Sequence, residues 1–97
     1  AIELLDKGIS MYPYMYLLHY NKGLVYYNMK KYAEAQKAFQ SAITVNPYHA
    51  SSHFMLGKSA IEQGRVIPAI LSFEFYLLVD PTSDRALKVV TQLEDIM

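Results

Sequence analysis

The chain has 97 residues, of which 53% are hydrophobic and 13% aromatic, which suits a buried core and argues against intrinsic disorder. Nine basic and nine acidic side chains give a net charge of zero, which argues against nucleic acid or anionic lipid as the main partner. The absence of cysteine excludes disulfides and thiolate metal sites, and no apolar stretch reaches the ~20 residues that span a bilayer.

The first segment, residues 1–12, is predicted to be a helix that ends before Pro13. The chain starts without an initiator Met inside this helix, so we interpret the sequence as a piece of a longer protein. Ile2, Leu5 and Ile9 have no preceding helix to pack against, and we expect them to form an exposed apolar edge. This edge predicts either missing upstream sequence or self-association through the first helix.

The remaining chain is organised by a regular repeat. Pro13, Pro47 and Pro81 are equally spaced, since 47 − 13 = 34 and 81 − 47 = 34, and Gly23 and Gly57 have the same separation, 57 − 23 = 34. Residues 16–49, here called the first repeat, align without a gap on residues 50–83, the second repeat. Further identities in this alignment are His19 with His53, Ala35 with Ala69, Phe39 with Phe73 and Val45 with Val79. Such a period indicates an array of similar units.

Each repeat is predicted to contain two helices. In the first repeat the apolar pattern predicts helices over 15–29 and 32–45, with the turn at "KKY", and Pro47 ends the second helix. In the second repeat Gly64 is expected to end the first helix in a left-handed conformation. Pro68 is expected in the first turn of the following helix, where a missing N–H group costs little.

Glycines inside the predicted helices require an explanation, because glycine there costs roughly 1 kcal/mol relative to alanine. We expect a neighbouring helix to approach Gly23 and Gly57 so closely that no Cβ fits. Opposite each glycine we expect a small residue, with an aromatic ring filling the remaining volume. The expected partners are Ala35 and Phe39 for Gly23, and Ala69 and Phe73 for Gly57.

The last segment, residues 84–97, is predicted to be a terminal capping helix with one buried and one exposed face. The apolar side comprises Ala86, Val89, Val90, Leu93 and Met97, and the polar side comprises Arg85, Lys88, Gln92 and Asp95. Ser83 or Thr82 is expected to cap its start.

The helix–turn–helix period with these glycine, alanine, aromatic and proline positions resembles the tetratricopeptide repeat (TPR). The resemblance covers essentially the whole chain as one domain, 1–97: residues 1–12 as the second helix of a partial repeat, the repeats 16–49 and 50–83, and the capping helix 84–97. It rests on Gly23, Tyr26, Ala35, Phe39, Ala42 and Pro47, and on Leu56, Gly57, Ala69, Phe73 and Pro81. It implies an all-α fold, a right-handed α-solenoid of antiparallel helix hairpins with about six helices.

The sequence also departs from the family pattern. His19 and His53 stand where the family usually has a large aromatic residue, and Lys22 stands where leucine is usual. Tyr76 replaces a small residue, which suggests altered packing beside it, and Gly8 takes the position equivalent to Ala42.

The resemblance implies a peptide-binding groove lined by the first helix of each repeat. The candidate groove residues are Leu17, Tyr20, Leu24, Tyr27, Asn28, Phe54, Lys58, Ile61 and Arg85, with Ser51, Glu62, Lys88 and Gln92 on the same faces. Tyr20, Tyr27 and Phe54 are the best anchors, because aromatic side chains offer large contact areas. Alternatively, these rings only pack against one another or against flanking repeats.

One subclass of the family holds the C-terminal carboxylates of chaperones with a clamp of Lys and Asn residues. At the matching places this chain has Tyr20, Leu24 and Met55, and only Arg85 is basic. The clamp is therefore absent, and we expect a more apolar peptide or a helix as the ligand.

Metal binding and catalysis find little support in the sequence. His19 and His53 are one repeat period apart (53 − 19 = 34), so they are interpreted as equivalent packing positions, and no acid accompanies His49 at a ligand spacing. Ser51 and Ser52 lie beside histidines but lack the third partner that activates a nucleophile. We expect no catalytic residue, metal or cofactor.

The leading hypothesis is a non-enzymatic scaffold that binds a peptide or a partner domain in its groove. The alternative is a structural, self-assembling or spacer module attached to a separate catalytic or regulatory domain.

Overall fold

Six helices and no strand are found in residues 2–80 and 83–96, which a computed structural model describes. The helices are α1 (Ile2–Met11), α2 (Tyr16–Asn28), α3 (Tyr32–Val45), α4 (Ala50–Glu62), α5 (Val66–Val79) and α6 (Asp84–Ile96). The predicted all-α class is therefore confirmed. Ala1, Pro81, Thr82 and Met97, which the sequence analysis used, lie outside the described residues.

The two helix hairpins turn in the same way. Gly64 follows α4 with a φ of 73°, as predicted, and Arg65 N–H donates to the carbonyl of Ala60 at 2.8 Å. Lys30 occupies the equivalent place after α2 with a φ of 62°, and Lys31 N–H donates to the carbonyl of Tyr26 at 2.9 Å. The first repeat therefore holds a lysine in a backbone conformation that favours glycine.

The helical glycines permit close packing within each hairpin, as predicted. A Cβ placed on Gly23 would lie 2.5 Å from Cε1 of Phe39, and one on Gly57 would lie 2.7 Å from Cε1 of Phe73. Carbon atoms normally pack at about 3.5–4.0 Å, so neither position has room for a side chain. In both hairpins the aromatic ring occupies the space that the Cβ would need.

The core around α6 is built on a large side chain, and the equivalent position of the first repeat holds a small one. Tyr76 is fully buried with Phe73, Ala86, Val89 and Leu93, whereas the equivalent residue of α3 is Ala42. The Tyr76 hydroxyl donates to Asp80 Oδ2 at 2.9 Å and lies 3.1 Å from Ser83 Oγ. Ser83 Oγ also accepts the N–H of Ala86 at 3.2 Å, which confirms Ser83 as a cap of α6.

The expected apolar side of α6 was wrong at one position. Val90 was expected on the buried side, but 40% of it is exposed. Ala86, Val89 and Leu93 form the buried stripe, and Val90 lies about 100° around the helix from Val89.

The apolar edge of α1 consists of other residues than expected. Ile2, Leu5 and Ile9 are half-buried, while Leu4 and Met11 are 76% and 61% exposed. Since Gly8 packs on Leu18 of α2, the face of α1 that contains it is partly covered.

A buried glutamine joins the two repeats. Gln36 of α3 is only 8% exposed, and its Oε1 accepts the amide N–H of Gln63 at 2.6 Å. The same Gln63 amide nitrogen lies 3.1 Å from the carbonyl of Ser59 and 3.4 Å from that of Tyr32. These bonds fix the end of α4 against the start of α3.

Candidate functional site

Four of the candidate groove residues form a row that crosses three helices. The ammonium of Lys58 lies 5.9 Å from the ring centroid of Tyr27 and 5.6 Å from that of Phe54. The guanidinium of Arg85 lies 5.0 Å from the Phe54 centroid, and its Nη1 donates to Ser51 Oγ at 2.7 Å. Distances below about 6 Å are those of cation–π contacts. We call Tyr27, Lys58, Phe54 and Arg85 the cation–aromatic row.

Tyr20 belongs to a different cluster. Its ring packs on Phe39 with a centroid distance of 5.7 Å and meets the ring of His49 edge-on at 4.9 Å. Tyr16 lies on the same histidine at 4.8 Å. Of the remaining candidates, Leu24 and Ile61 are half-buried, whereas Leu17 and Asn28 are exposed.

The aromatic candidates also support the core. Phe54 packs against Phe73 at 6.2 Å and against Tyr76 at 5.7 Å, and Tyr20 packs against Phe39. Both side chains remain half-exposed. Each ring therefore has a packing role on one side and an accessible area on the other, so truncating it would disturb the fold together with the surface.

The charges along the row are unevenly distributed. Burial raises the pKa of Tyr27, and the nearby Glu62 and Tyr32 raise it further, so its phenol stays neutral at physiological pH. Lys58 and Arg85 are the cations of the row, and Lys88 is exposed one turn after Arg85 on α6. The acidic Glu62 lies at the Tyr27 end, and the α6 end is cationic.

Two histidines hold the turns that precede their helices. His19 Nε2 lies 3.1 Å from the carbonyl of Pro13, and His53 Nε2 lies 2.7 Å from that of Pro47. Since a carbonyl only accepts, Nε2 carries the proton in both rings. The prediction that these histidines are equivalent packing positions is confirmed.

His49 and Ser52 form a contact that resembles a base and a nucleophile without the geometry of a catalytic pair. His49 Nδ1 lies 2.6 Å from Ser52 Oγ, but Ser52 is fully buried at the start of α4 and out of reach of a substrate. Burial lowers the pKa of His49, and the positive charges of His53 and Arg85 lower it further. Within residues 2–80 and 83–96, no three His, Asp or Glu side chains are arranged to hold a metal ion.

Comparison with known proteins agrees with this architecture. A protein-family model described as "Tetratricopeptide repeat" matches residues 16–49. The chain contains a tetratricopeptide repeat. No curated protein matches the chain significantly.

Solved TPR domains share the fold over nearly the whole chain. The Arabidopsis OM64 TPR domain superposes with a TM-score of 0.91 at 13% identity, over 100% of this chain and 80% of that one. The first TPR of Spaghetti (RPAP3), bound to the HSP90 peptide SRMEEVD, gives 0.89 at 22% identity, over 98% and 73%. The second TPR domain of human RPAP3, in complex with the HSP70 peptide SGPTIEEVD, gives 0.89 at 26%, over 96% and 78%. The chain therefore has the TPR fold, and similar structures include peptide-binding domains.

Among the described residues, no helix combines the length and the apolar character that crossing a bilayer requires.

Sequence reasoning named the members of the cation–aromatic row but not their pairing. Phe54 and Lys58 are four positions apart on α4, a spacing that brings helical side chains together. This contact could therefore have been predicted from the sequence. The contact of Arg85 with Phe54 joins α6 to α4 and depends on how these helices pack. The cluster of Tyr16 and Tyr20 on His49 was not predicted either, because it also depends on how separate helices pack.

Proposed function

We propose that the surface formed by α2, α4 and α6 binds an extended peptide of a partner protein, and that the chain acts as a non-enzymatic interaction scaffold. The observation that carries this proposal is the cation–aromatic row. It presents two cations and two half-buried rings on neighbouring helices, and tyrosine and arginine, both present in the row, are among the side chains that dominate protein-binding hot spots. The peptide-binding TPR domains of the same fold support the peptide as the class of ligand.

The chemistry of the row favours a peptide with a carboxylate next to an apolar side chain. Lys58 and Arg85 offer N–H donors that pair with a carboxylate, and Lys88 adds positive charge at the same end. Phe54 and the half-buried Ile61 offer apolar area beside these cations. Since Tyr20, Leu24 and Met55 replace the Lys and Asn positions of the chaperone clamp, Lys58 and Arg85 would hold the carboxylate in this chain.

A peptide-display selection on the 97-residue chain tests the proposal. Selected peptides are expected to combine acidic and apolar residues, and their affinity is measured by fluorescence anisotropy. The double variant Lys58→Ala/Arg85→Ala should weaken binding roughly 100-fold or more, because it removes two hydrogen bonds to charged groups that contribute about 1.5–3 kcal/mol each. Removing these two cations tests the surface more specifically than truncating Tyr20 and Phe54 would, because those two rings also support the core.

The matched control is Lys7→Ala/Lys31→Ala, which removes two exposed lysines outside the row. It should leave the affinity within about twofold, since isolated surface charges contribute little. Selected peptides that bind the Lys58→Ala/Arg85→Ala variant as tightly as the wild type would refute the role of the row.

Self-assembly through α1 is a second candidate function, which the exposure of Leu4 and Met11 supports. Light scattering over a dilution series should then show an association that Leu4→Glu/Met11→Glu abolishes. A wild-type chain that stays monomeric at the highest concentration would exclude this candidate.

A further inference from the structure

A cavity lies on a different face of α2 from the cation–aromatic row. It has a volume of about 290 Å³ and is lined by Ile9 of α1, His19, Lys22 and Tyr26 of α2, and Lys37 and Ser41 of α3, among others. Lys22 of the cavity and Tyr27 of the row are five positions apart on α2, which is about 140° around a helix. The cavity is therefore a separate place on the molecule, and an inference about it goes beyond the function proposed above.

In the second repeat, an aromatic side chain occupies the position that corresponds to this cavity. Phe75 of α5 stacks on His53, with ring centroids 4.4 Å apart and an angle of 21° between the planes. By the alignment of the repeats, His53 corresponds to His19 (53 − 34 = 19) and Phe75 to Ser41 (75 − 34 = 41). In the first repeat Ser41 is too small to cover His19, so α3 supplies no ring that stacks on this histidine.

The two histidine rings are held in the same way, which makes the comparison direct. His19 bonds to the carbonyl of Pro13 through Nε2, and His53 bonds to that of Pro47 through Nε2. Each imidazole is thereby fixed across the start of its helix. A ring that enters the cavity beside Ser41 would meet His19 in the orientation in which Phe75 meets His53.

We propose that this cavity is a second binding site, which accepts an aromatic side chain of a partner polypeptide stacked on His19. Ile9, Ala38 and Tyr26 provide apolar contact for the ring. Offset-stacked and edge-on ring pairs attract each other beyond the effect of the area that they bury.

The charges around the cavity favour a ligand with a carboxylate close to the ring. Lys22 and Lys37 line it together with one acid, Glu34. Asp6 holds the ammonium of Lys22 at 2.6 Å, which positions this cation over the cavity and partly neutralises it. Lys37 is exposed and is the cation that is most available to the ligand. An aromatic residue with a neighbouring acidic group meets both requirements.

The test uses N-acetyl-phenylalanine, which carries a ring and a carboxylate, in an NMR titration of the full chain labelled with ¹⁵N. We expect saturable shifts at the amides of His19, Ala38 and Ser41, with a dissociation constant on the order of millimolar for a ligand this small. N-acetyl-phenylalanine amide, which lacks the charge, should bind more weakly to the wild type, and this difference should disappear in Lys37→Ala. Equal affinity of the two probes for the wild type would overturn the carboxylate preference.

Paired substitutions decide whether the ring stacks on His19. Ser41→Phe should fill the cavity with its own ring and abolish the shifts, and Ser41→Leu serves the same purpose if the first variant does not fold. Phe75→Ser should open the equivalent place and add shifts at His53. The proposal would be overturned if the wild type showed no shifts. It would also be overturned if the shifts persisted in a folded Ser41 variant.

The same titration separates this site from the proposed peptide surface. Lys58→Ala/Arg85→Ala is expected to leave the shifts at His19 and Ser41 unchanged. Loss of these shifts in that variant would overturn the assignment of a separate site.

Discussion

The outer faces of α3 and α5 occupy equivalent positions in consecutive repeats but differ in chemistry. Ala33, Lys37, Ser41 and Thr44 of α3 correspond to Ile67, Leu71, Phe75 and Leu78 of α5. The α5 side chains are exposed, Ile67 by 71% and Leu78 by 80%. The inner faces, in contrast, keep the same alanine and phenylalanine. The fold therefore depends on the contact within each hairpin, whereas the outer face can differ without changing the helix.

The repeats also differ where each meets the following helix. Ala42 of α3 and Tyr76 of α5 occupy the equivalent position, and both are fully buried. Alanine lets α4 approach α3 closely. Tyr76 fills a larger space below α6 and adds hydrogen bonds to Asp80 and Ser83. The contact with α6 thus depends on one large side chain, while the contact between α3 and α4 is spread over several small ones.

The largest expected effect is the loss of Tyr76. Tyr76→Ala should lower the free energy of unfolding by about 3–5 kcal/mol, as found for large aromatic residues truncated in cores. Tyr76→Phe should cost only about 1 kcal/mol, because it removes the hydroxyl but keeps the ring. Urea unfolding followed by circular dichroism measures both. A loss below about 1 kcal/mol for Tyr76→Ala would contradict the role of this residue.

A smaller loss is expected when the helical glycines gain a side chain. Gly23→Ala and Gly57→Ala should each cost about 1–3 kcal/mol, the usual range for overpacking, since the added Cβ meets the buried ring of Phe39 or Phe73. Gly8→Ala is the matched control. Its Cβ would lie 3.3 Å from a terminal methyl of the half-buried Leu18, which can move.

Because alanine is also the better helix former, Gly8→Ala should be close to neutral. Thermal unfolding of the three variants under one buffer condition makes the comparison. If Gly8→Ala and Gly23→Ala were equally destabilising, the close approach of Phe39 would not explain the glycine.

The hairpin turns predict a gain of stability in the first repeat. Lys30→Gly should stabilise the chain by about 1 kcal/mol, because a left-handed backbone costs other residues about 1–2 kcal/mol. Gly64→Lys, the reverse exchange at the equivalent turn, should lose a similar amount. Chemical unfolding measures both changes, and a destabilised Lys30→Gly would show that the lysine side chain stabilises its turn in another way.

Much of this architecture could be predicted from the sequence because its signals are local and periodic. Prolines recur at intervals of one repeat and separate the hairpins, the recurring glycines mark close contacts within each hairpin, and the apolar pattern marks the helices. The left-handed Lys30 was missed because lysine carries no signal for that conformation. The alignment of the repeats pairs Lys30 with Gly64 (64 − 34 = 30), but a lysine at this position gives no sign that the left-handed turn is kept.

The contacts between helices were harder to predict. The pairing of Gln36 with Gln63 and of Arg85 with Phe54 joins residues from different helices. Their meeting depends on interhelical distances and angles that no spacing along the chain specifies. The candidate groove residues were named by alignment with a family, and their capacity to bind a peptide stays a prediction.

The smallest expected effect is a pH dependence confined to the start of the second repeat. His49 precedes α4, and its equivalent before α2 is Met15 (49 − 34 = 15), which does not titrate. Burial and the charges of His53 and Arg85 lower the pKa of His49 in the folded chain. The unfolded chain, with an ordinary histidine pKa of about 6.5, therefore binds more protons as the pH falls through that value.

It follows that stability is fully present above pH ~6.5 and decreases on acidification. The melting temperature should be lower at pH ~5.5 than at pH ~7.5, and His49→Met should reduce this difference. Every other titratable group is present in both proteins, so the difference between the two pH dependences reports on His49. An unchanged pH dependence in His49→Met would mean that burial and the charge of Arg85 do not lower the pKa of His49.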